Sequence, residues 1–220
     1  MHLKRIAMPR SWPLPKKERT FIVKGRGPHP SKMSLPLLVV LRDIIKEAKT
    51  RKEVKKILSE GLVLIDNRVI KDEKFNVGLF DRIYIKKLEK AFTVHLTKKG
   101  KLKIQEISKE KVHKKPCKVA GKKILKKNKV QINLHDGRNL IIKEKDIRVG
   151  GSIILDLKTN KATDYLKLDK GSLVLVIGGK HTGDNGKISD IDDKVSVVIG
   201  EKIFKISKEN VFVIDKGELK

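Results

Sequence analysis

Cysteine occurs once, at Cys117, so the chain can form no internal disulfide and no multi-cysteine zinc site. Aromatic residues make up only 4% and the apolar share is 39%, enough for two or three small cores and too little for one large catalytic pocket. No apolar run exceeds five residues, Leu37–Leu41 being one, where a membrane-spanning helix needs about twenty. The first residues hold no apolar stretch of the signal-peptide kind, so the expectation is a soluble, intracellular protein with no membrane partner. Acid is scarce as well: 26 Asp and Glu face 53 Lys and Arg, a formal charge of +27 over 220 residues. A surplus of that size repels itself until a polyanion answers it.

The basic residues are 43 Lys and only 10 Arg. Lys meets phosphate as a mobile point charge and Arg as a planar fork, so backbone tracking should outweigh base reading. The surplus is regional: residues 1–36 carry +8, 37–90 carry +5, 91–169 carry +13 and 170–220 carry +1.

Five prolines (9, 13, 15, 28 and 30), a sixth at 36 and two glycines around Arg26 keep residues 1–36 from forming a helix or a long strand. They read as an extended basic arm whose Trp12, Phe21, Ile22 and Val23 order on binding. Next, Ser34 is the expected N-cap of an amphipathic helix of about three turns, with Leu37, Leu38, Leu41, Ile44, Ile45 and Ala48 on its inner face. Thr50 and Glu53 form a capping box for a second helix that turns Val54, Ile57 and Leu58 inward and stops at Gly61. Residues 62–65 and 68–70 read as a hairpin turning at Asp66-Asn67, with a last strand near Ile83–Ile85. This makes a small ααβββ unit over residues 37–90.

From Phe92 to Leu168 short alternating runs predict a β-rich middle: 92–96, 102–107, 118–119, 130–134, 140–142 and 153–157. Residues 170–220 hold five short strands with Gly-rich turns, as in an SH3-like barrel. The fold class is therefore α+β and multi-domain.

The apparent chemical motifs dissolve on inspection. Gly178–Gly186 contains Gly-Lys, but Val174 stands where a Walker loop needs Gly, His181 where it needs Ser or Thr, and a strand follows where it needs a helix. The six histidines are dispersed, and His113 with Cys117 gives only two ligands, so no metal is expected. His135-Asp136-Gly137 is a turn between strands, and Cys117 has the pattern of a small residue packed in one. No catalytic constellation is defensible from spacing.

Several motifs occur together and in order: Leu3-Lys4-Arg5, Ala7-x-Pro9-x-Ser11-Trp12, Gly27-Pro28-His29, Leu35-Pro36-Leu37 to Arg42, Thr50-x-x-Glu53-Val54, His135-Asp136-Gly137-Arg138 and Val176-x-Gly178-Gly179-x-x-x-Gly183-x-x-Gly186. As an ordered set, from about residue 2 to 214, they resemble the archaeal and eukaryotic small-subunit ribosomal family called "S four E". The resemblance implies that residues 37–90 look like the RNA-binding domain also carried by the bacterial small-subunit protein number four, some pseudouridine synthases and tyrosyl-tRNA synthetases. Residues 91–169 look like the family's own central domain and 170–220 like a KOW barrel, the short end fitting an archaeal-type member.

The resemblance further implies a structural rRNA-binding protein, active in assembly and translation, without cofactor, small-molecule substrate or homo-oligomer, whose partners are small-subunit rRNA and neighbouring ribosomal proteins. The expected RNA contacts are Lys4, Arg5, Arg10, Trp12, Arg19, Lys24, Arg26 and His29 in the arm, with Trp12 either stacking on a base or packing on the first domain. Off the apolar stripe of the helix pair they are Arg42, Lys49, Arg51, Lys52, Lys55 and Lys56, with Arg68 on the hairpin. The middle supplies Lys122, Lys123, Lys126, Lys127 and Arg138, and the last loop Lys180, His181 and Lys187. Three rivals account for less. An RNA-modifying enzyme would need a catalytic domain within two small barrels. A KOW-containing transcription-associated factor explains neither helix pair nor arm, and a nonspecific polyanion binder needs only the charge.

Overall fold

The computed structural model describes residues 2–126, 129–142 and 146–215. The chain divides into two compact units, Met1–Leu96 with Lys101–Lys115 and Thr97–Gly100 with Pro116–Lys220.

In the first unit, strands β1 (Leu3–Lys4) and β2 (Phe21–Ile22) pair antiparallel, Leu3 opposite Ile22 and Lys4 opposite Phe21. The arm is fastened to its own unit. Met8 and Trp12 are buried, the Trp12 indole N–H donates to the Ser31 carbonyl at 3.1 Å, and Leu102 N–H donates to the Ser11 carbonyl at 2.7 Å. Further on, Arg26 exchanges backbone bonds of 2.7 Å with Lys74 and Asn76.

Strand β3 (Ser34–Pro36) pairs antiparallel with β6, residues Asn76–Gly78. Ser34 is therefore a strand residue, not the expected cap. Helix α1 starts one residue after Pro36, and its first free N–H groups, on Leu37 and Leu38, donate to the carbonyls of Phe75 and Glu73 at 2.8 and 2.9 Å. The predicted three-turn amphipathic helix is also shorter. It is α-helical over Leu37–Val39, widens into a π turn over Val40–Ile44, and ends at Lys46 with a left-handed φ of 64°. The reason lies in the five-residue apolar run: Leu37 to Leu41 are all buried to 1% exposure or less, so this segment is enclosed on every side instead of presenting one stripe.

Helix α2 (Arg51–Ser59) follows its sequence signals. Thr50 Oγ1 accepts from Glu53 N–H at 3.3 Å, the Glu53 carboxylate accepts from Lys49 N–H at 2.8 Å, Val54 and Leu58 are buried, and Gly61 has a left-handed φ of 69°. Strands β4 (Val63–Ile65) and β5 (Arg68–Val69) form the hairpin, with Asp66 and Asn67 both at positive φ as a two-residue turn of this twist requires. Strand β7 (Arg82–Ile85) pairs with β4 and with β8 (Lys90–Leu96), and β8 with β9 (Leu102–Ile107), giving the order β5-β4-β7-β8-β9. The sheet thus runs straight through the boundary expected at residue 90, because β8 supplies the hydrogen-bonding partner that β7 would otherwise lack.

Strand β10 (Lys114–Ile124) carries the chain into the second unit, where β11 (Val130–Leu134), β12 (Asn139–Ile142), β13 (Ser152–Asp156) and β14 (Lys161–Leu166) complete a sheet of order β12-β11-β10-β13-β14. Cys117 lies fully buried in its core among Val119, Ile132, Ile153 and Leu155. A second sheet contains β15 (Leu173–Val176), β16 (Asn185–Ile191), β17 (Lys194–Ile199), β18 (Lys202–Ser207) and β19 (Val211–Val213) in the order β18-β17-β16-β15-β19, around Val174, Val176, Val195, Val197 and Val211.

Candidate nucleic-acid interface

The first unit is held together by ions inside it. Lys115 is wholly buried, with Nζ 2.6 Å from both Asp66 Oδ2 and Asp81 Oδ1. Asp81 Oδ2 accepts from Gly78 N–H at 2.7 Å and lies 3.1 Å from His29 Nε2, while Asp66 Oδ1 accepts from Arg82 N–H at 2.9 Å. Burial pushes the Asp81 carboxyl up, but the Lys115 charge and the His29 hydrogen bond outweigh it and hold the group well below the usual carboxylate range. The His29 ring presses so closely on β6 that a methyl at Gly78 would meet it at 2.4 Å.

This arrangement takes three expected RNA contacts out of reach. Arg5 is buried, its guanidinium donating to the Pro15 carbonyl at 2.7 Å and to Glu18 at 2.9 Å. Trp12 packs into the unit, the second of the two roles expected for it, and His29 faces Asp81. Their carboxylate and carbonyl partners are remote in sequence, so composition alone could not reveal them.

The remaining arm cations reach the surface. Lys4, Arg10, Arg19, Lys24 and Arg26 are exposed, as are Lys49, Lys52, Lys55 and Lys56 around α2 and Arg68 on β5. A groove of about 610 Å³ brings arm and helix-pair domain together, Arg19, Lys24 and Arg26 of the arm meeting Arg42 and Arg51 of the helix pair and Lys74 of the loop before β6. Two of its guanidiniums are fixed from behind. Arg42 makes a bidentate pair with Asp43 at 2.9 and 3.0 Å, and half-exposed Arg51 is held by Glu73, whose carboxyl that hydrogen bond lowers. No carboxylate is among the described residues lining the groove, and its apolar part includes Phe21 and Ile22. Neither Phe21 nor Lys74 is among the RNA contacts expected from sequence. Phe21 stood among charges, which was a visible signal, whereas Lys74 becomes relevant only when β6 brings its loop beside the arm.

In the second unit, Lys122, Lys123, Lys126, Lys180 and Lys187 are exposed; Lys127 lies outside the described residues. Arg138 is half-buried, its Nε 3.4 Å from Asp136 Oδ2. His181 stacks on Phe204 with ring centroids 3.9 Å apart and faces Asp184 at 3.5 Å, so its ring is placed by the protein. Lys118, assigned no role from sequence, is largely buried and donates to the carbonyls of Lys208 and Glu209 at 3.0 and 2.6 Å; burial lowers its pKa to about 8. A second groove of about 640 Å³ is of mixed sign, with Lys122, Arg148, Lys167 and Lys208 beside Asp146 and Asp169.

The Gly178–Gly186 loop is no phosphate cradle. Gly183 N–H donates to the Val176 carbonyl, Asp184 N–H to the His181 carbonyl, and the Thr182 hydroxyl to the Gly179 carbonyl, at 2.7, 3.1 and 2.6 Å. Three of its donors are thus turned onto the chain itself, and β16 takes over at Asn185, where a phosphate cradle needs a helix.

Four family models match in succession: the RS4NT domain over residues 1–32, the S4 domain over 35–83, the ribosomal family S4e over 88–162 and the KOW motif over 170–201. The small ribosomal subunit protein eS4 of Methanocaldococcus jannaschii is 38% identical, and that of Methanococcus vannielii 37%, each alignment covering 99% of this chain and 95% of the relative. The chain belongs to the ribosomal S4e family. The crystal structure of the 30S ribosomal protein S4e from Thermoplasma acidophilum superposes with a TM-score of 0.72 at 31% identity, covering 84% of this chain and 97% of that one. The S4 match ends at residue 83, while the sheet to which it belongs continues to β9.

Proposed function

We propose that this S4e chain holds folded rRNA of the small ribosomal subunit through its exposed lysines and arginines, with the acid-free groove of the first unit as the central contact. As a family member it is a structural constituent of the small ribosomal subunit and not an enzyme. The mechanism is counterion release. Each cation that reaches a phosphate frees a condensed counterion, while the protein framework decides which phosphates are reachable together. The observation that carries this reading is the convergence of arm and helix-pair cations on one surface with no carboxylate among the described residues lining it.

The division into a basic arm (1–36), helix-pair RNA-binding domain (37–90), central domain (91–169) and KOW barrel (170–220) is retained as four functional modules, the last two meeting rRNA or neighbouring ribosomal proteins. The five-strand antiparallel order of the last sheet supports its closure into an SH3-like barrel. Lys122, Lys123, Lys126, Lys180 and Lys187 extend the footprint. A transcription-associated KOW factor would account for the last sheet alone and leave the groove without a ligand.

The test is sedimentation of a lysate containing the tagged full chain, at low salt and at several hundred millimolar, with an RNase-treated control. Residence with the small subunit at both salts is the expected outcome. Release at high salt, or migration with RNA polymerase, overturns it.

A further inference from the structure

We infer that the groove of the first unit seats an unpaired base of the RNA, stacked on the Phe21 ring, with the flanking phosphates on Arg19, Lys24 and Arg26. The inference deepens the rRNA reading and rests on it.

Of the two large aromatics in the arm, the larger is enclosed and the smaller is presented. Trp12 is 2% exposed and Phe21 is 55% exposed. Phe21 is not loose. It sits on β2 opposite Lys4, and the next residue, Ile22, is buried at 8% exposure, so strand alternation turns Phe21 to the other face and keeps it there. The His2 ring stands beside it, centroids 5.6 Å apart and tilted by 52°.

A ring fixed in this way among six cations matches what single-stranded nucleic acid needs, an apolar face for the base and positive charge along the backbone. The size agrees. About 610 Å³ falls within the roughly 300–1,000 Å³ of small-ligand sites. A-form duplex would bring phosphates and ribose hydroxyls but keep its base faces stacked inside, so it would satisfy the cations and leave the ring without a partner. The occupant is therefore an unpaired nucleotide, and stacking makes the seat tolerant of which base it takes.

The full chain and its Phe21→Ala, Phe21→Leu and Phe21→Tyr variants are titrated with poly(A), with the poly(A)·poly(U) duplex, and with small-subunit rRNA beside tRNA, over a range of salt. Expected for Phe21→Ala is a loss of about fivefold to a hundredfold in poly(A) affinity, no loss on the duplex, and an unchanged slope of log affinity against log salt. Phe21→Leu keeps apolar bulk without a ring and loses affinity likewise, whereas Phe21→Tyr binds as the parent does. Trp12, the only tryptophan, reports the fold of this unit, and the Leu–Tyr comparison stands even if Ala shifts its emission. Unchanged poly(A) affinity in Phe21→Ala or Phe21→Leu, or equal losses on single strand and duplex, overturns the stacking seat and leaves rRNA binding intact. A parent chain that binds small-subunit rRNA no better than tRNA overturns both.

Discussion

Replacing Lys115 by Met removes the ammonium that Asp66 and Asp81 share at 2.6 Å, in a place where the three side chains are 0%, 6% and 2% exposed. The Gly78 and Arg82 N–H groups that also donate to these carboxylates carry no full positive charge, and the His29 ring reaches Asp81 alone of the two. Breaking a buried ion pair from one side typically costs about 3–5 kcal/mol, because the charge left behind has lost its solvent as well as its partner. For a unit of about a hundred residues each kcal/mol is worth about 4–8 °C, so the melting temperature should fall by at least about 12 °C. The measurement is urea and thermal unfolding monitored by the fluorescence of Trp12, which is buried in the same unit and is the sole tryptophan. The pH dependence adds a second reading. In the parent the Asp81 carboxyl is held below its unfolded value of about 3.9, so its stabilising contribution is complete above that pH and is lost as pH falls through the folded value. In Lys115→Met burial still pushes the Asp81 carboxyl up and only the His29 and backbone hydrogen bonds oppose it, so the folded value rises and less stabilisation remains to be lost in acid. The gap between the two proteins therefore narrows below about pH 4. Adding Asp66→Asn, which suits the left-handed backbone at that position, should recover part of the loss by removing one stranded charge. A variant within about 1 kcal/mol of the parent, or a gap independent of pH, refutes the assignment of the network as the clamp of this unit.

Three further outcomes are expected. Thr50→Ala deletes the acceptor for Glu53 N–H and should cost about 1 kcal/mol, read as a lower urea midpoint for Trp12 fluorescence. Gly183→Ala forces a side chain onto a left-handed φ of 90° and puts a methyl 1.9 Å from the Thr97 carbonyl oxygen, so circular dichroism melting should show a loss of more than about 2 kcal/mol. Lys118, lowered to about 8 by burial, releases its proton in the folded state before the unfolded chain does at about 10.4, so stability rises with pH between those values. Relative to Lys118→Met, the parent should gain a few kcal/mol at most between about pH 8 and about pH 10, and a difference that stays flat refutes the low value.

What could be read in advance was what neighbours in sequence decide. The α2 capping box, the Asp66-Asn67 turn, and strands β9 and β11 fall where local patterning puts them, since each depends on residues within a few positions. What escaped was set by distant partners. Leu37–Leu41 looks like the start of a long amphipathic helix until the strands around it enclose all its sides. Strand β14 went unseen because Lys161–Asp164 is exposed and polar, an edge without an apolar alternation to announce it. Within the candidate interface, exposed lysines were easy to nominate from the capping and stripe of α2. The burial of Arg5 and His29 was hidden, because Glu18 and Asp81 had to be brought beside them by the fold. The exchange between the two aromatics has the same origin, since Trp12 is held inside by the distant Ser31 carbonyl while the pairing of β2 with β1 buries Ile22 and turns Phe21 out.

The two kinds of cation divide the work in a way their numbers do not suggest. Five of the ten arginines, at positions 5, 42, 51, 82 and 138, have guanidinium nitrogens on protein oxygens: Glu18, Asp43, Glu73, the Lys114 carbonyl and Asp136. The lysines nominated for RNA are exposed wherever they are described. A planar fork suits a fixed partner, and it locks the backbone segments that carry it into one register. A flexible ammonium suits a phosphate whose position is not fixed until the RNA arrives. The buried carboxylates Asp66, Glu73, Asp81 and Asp136 are placed where they hold arginine or Lys115, and much of the surplus charge is left on lysine at the surface. On this division the salt dependence of RNA binding resides in the exposed lysines together with the exposed Arg10, Arg19, Arg26 and Arg68, while the shape that makes binding selective resides in the arginine and buried-lysine pairs. Lysine-to-glutamine changes on α2 should flatten the salt slope without moving the Trp12 transition, whereas Arg51→Gln should do both, because it removes a groove cation, frees Glu73 and loosens one wall of the groove.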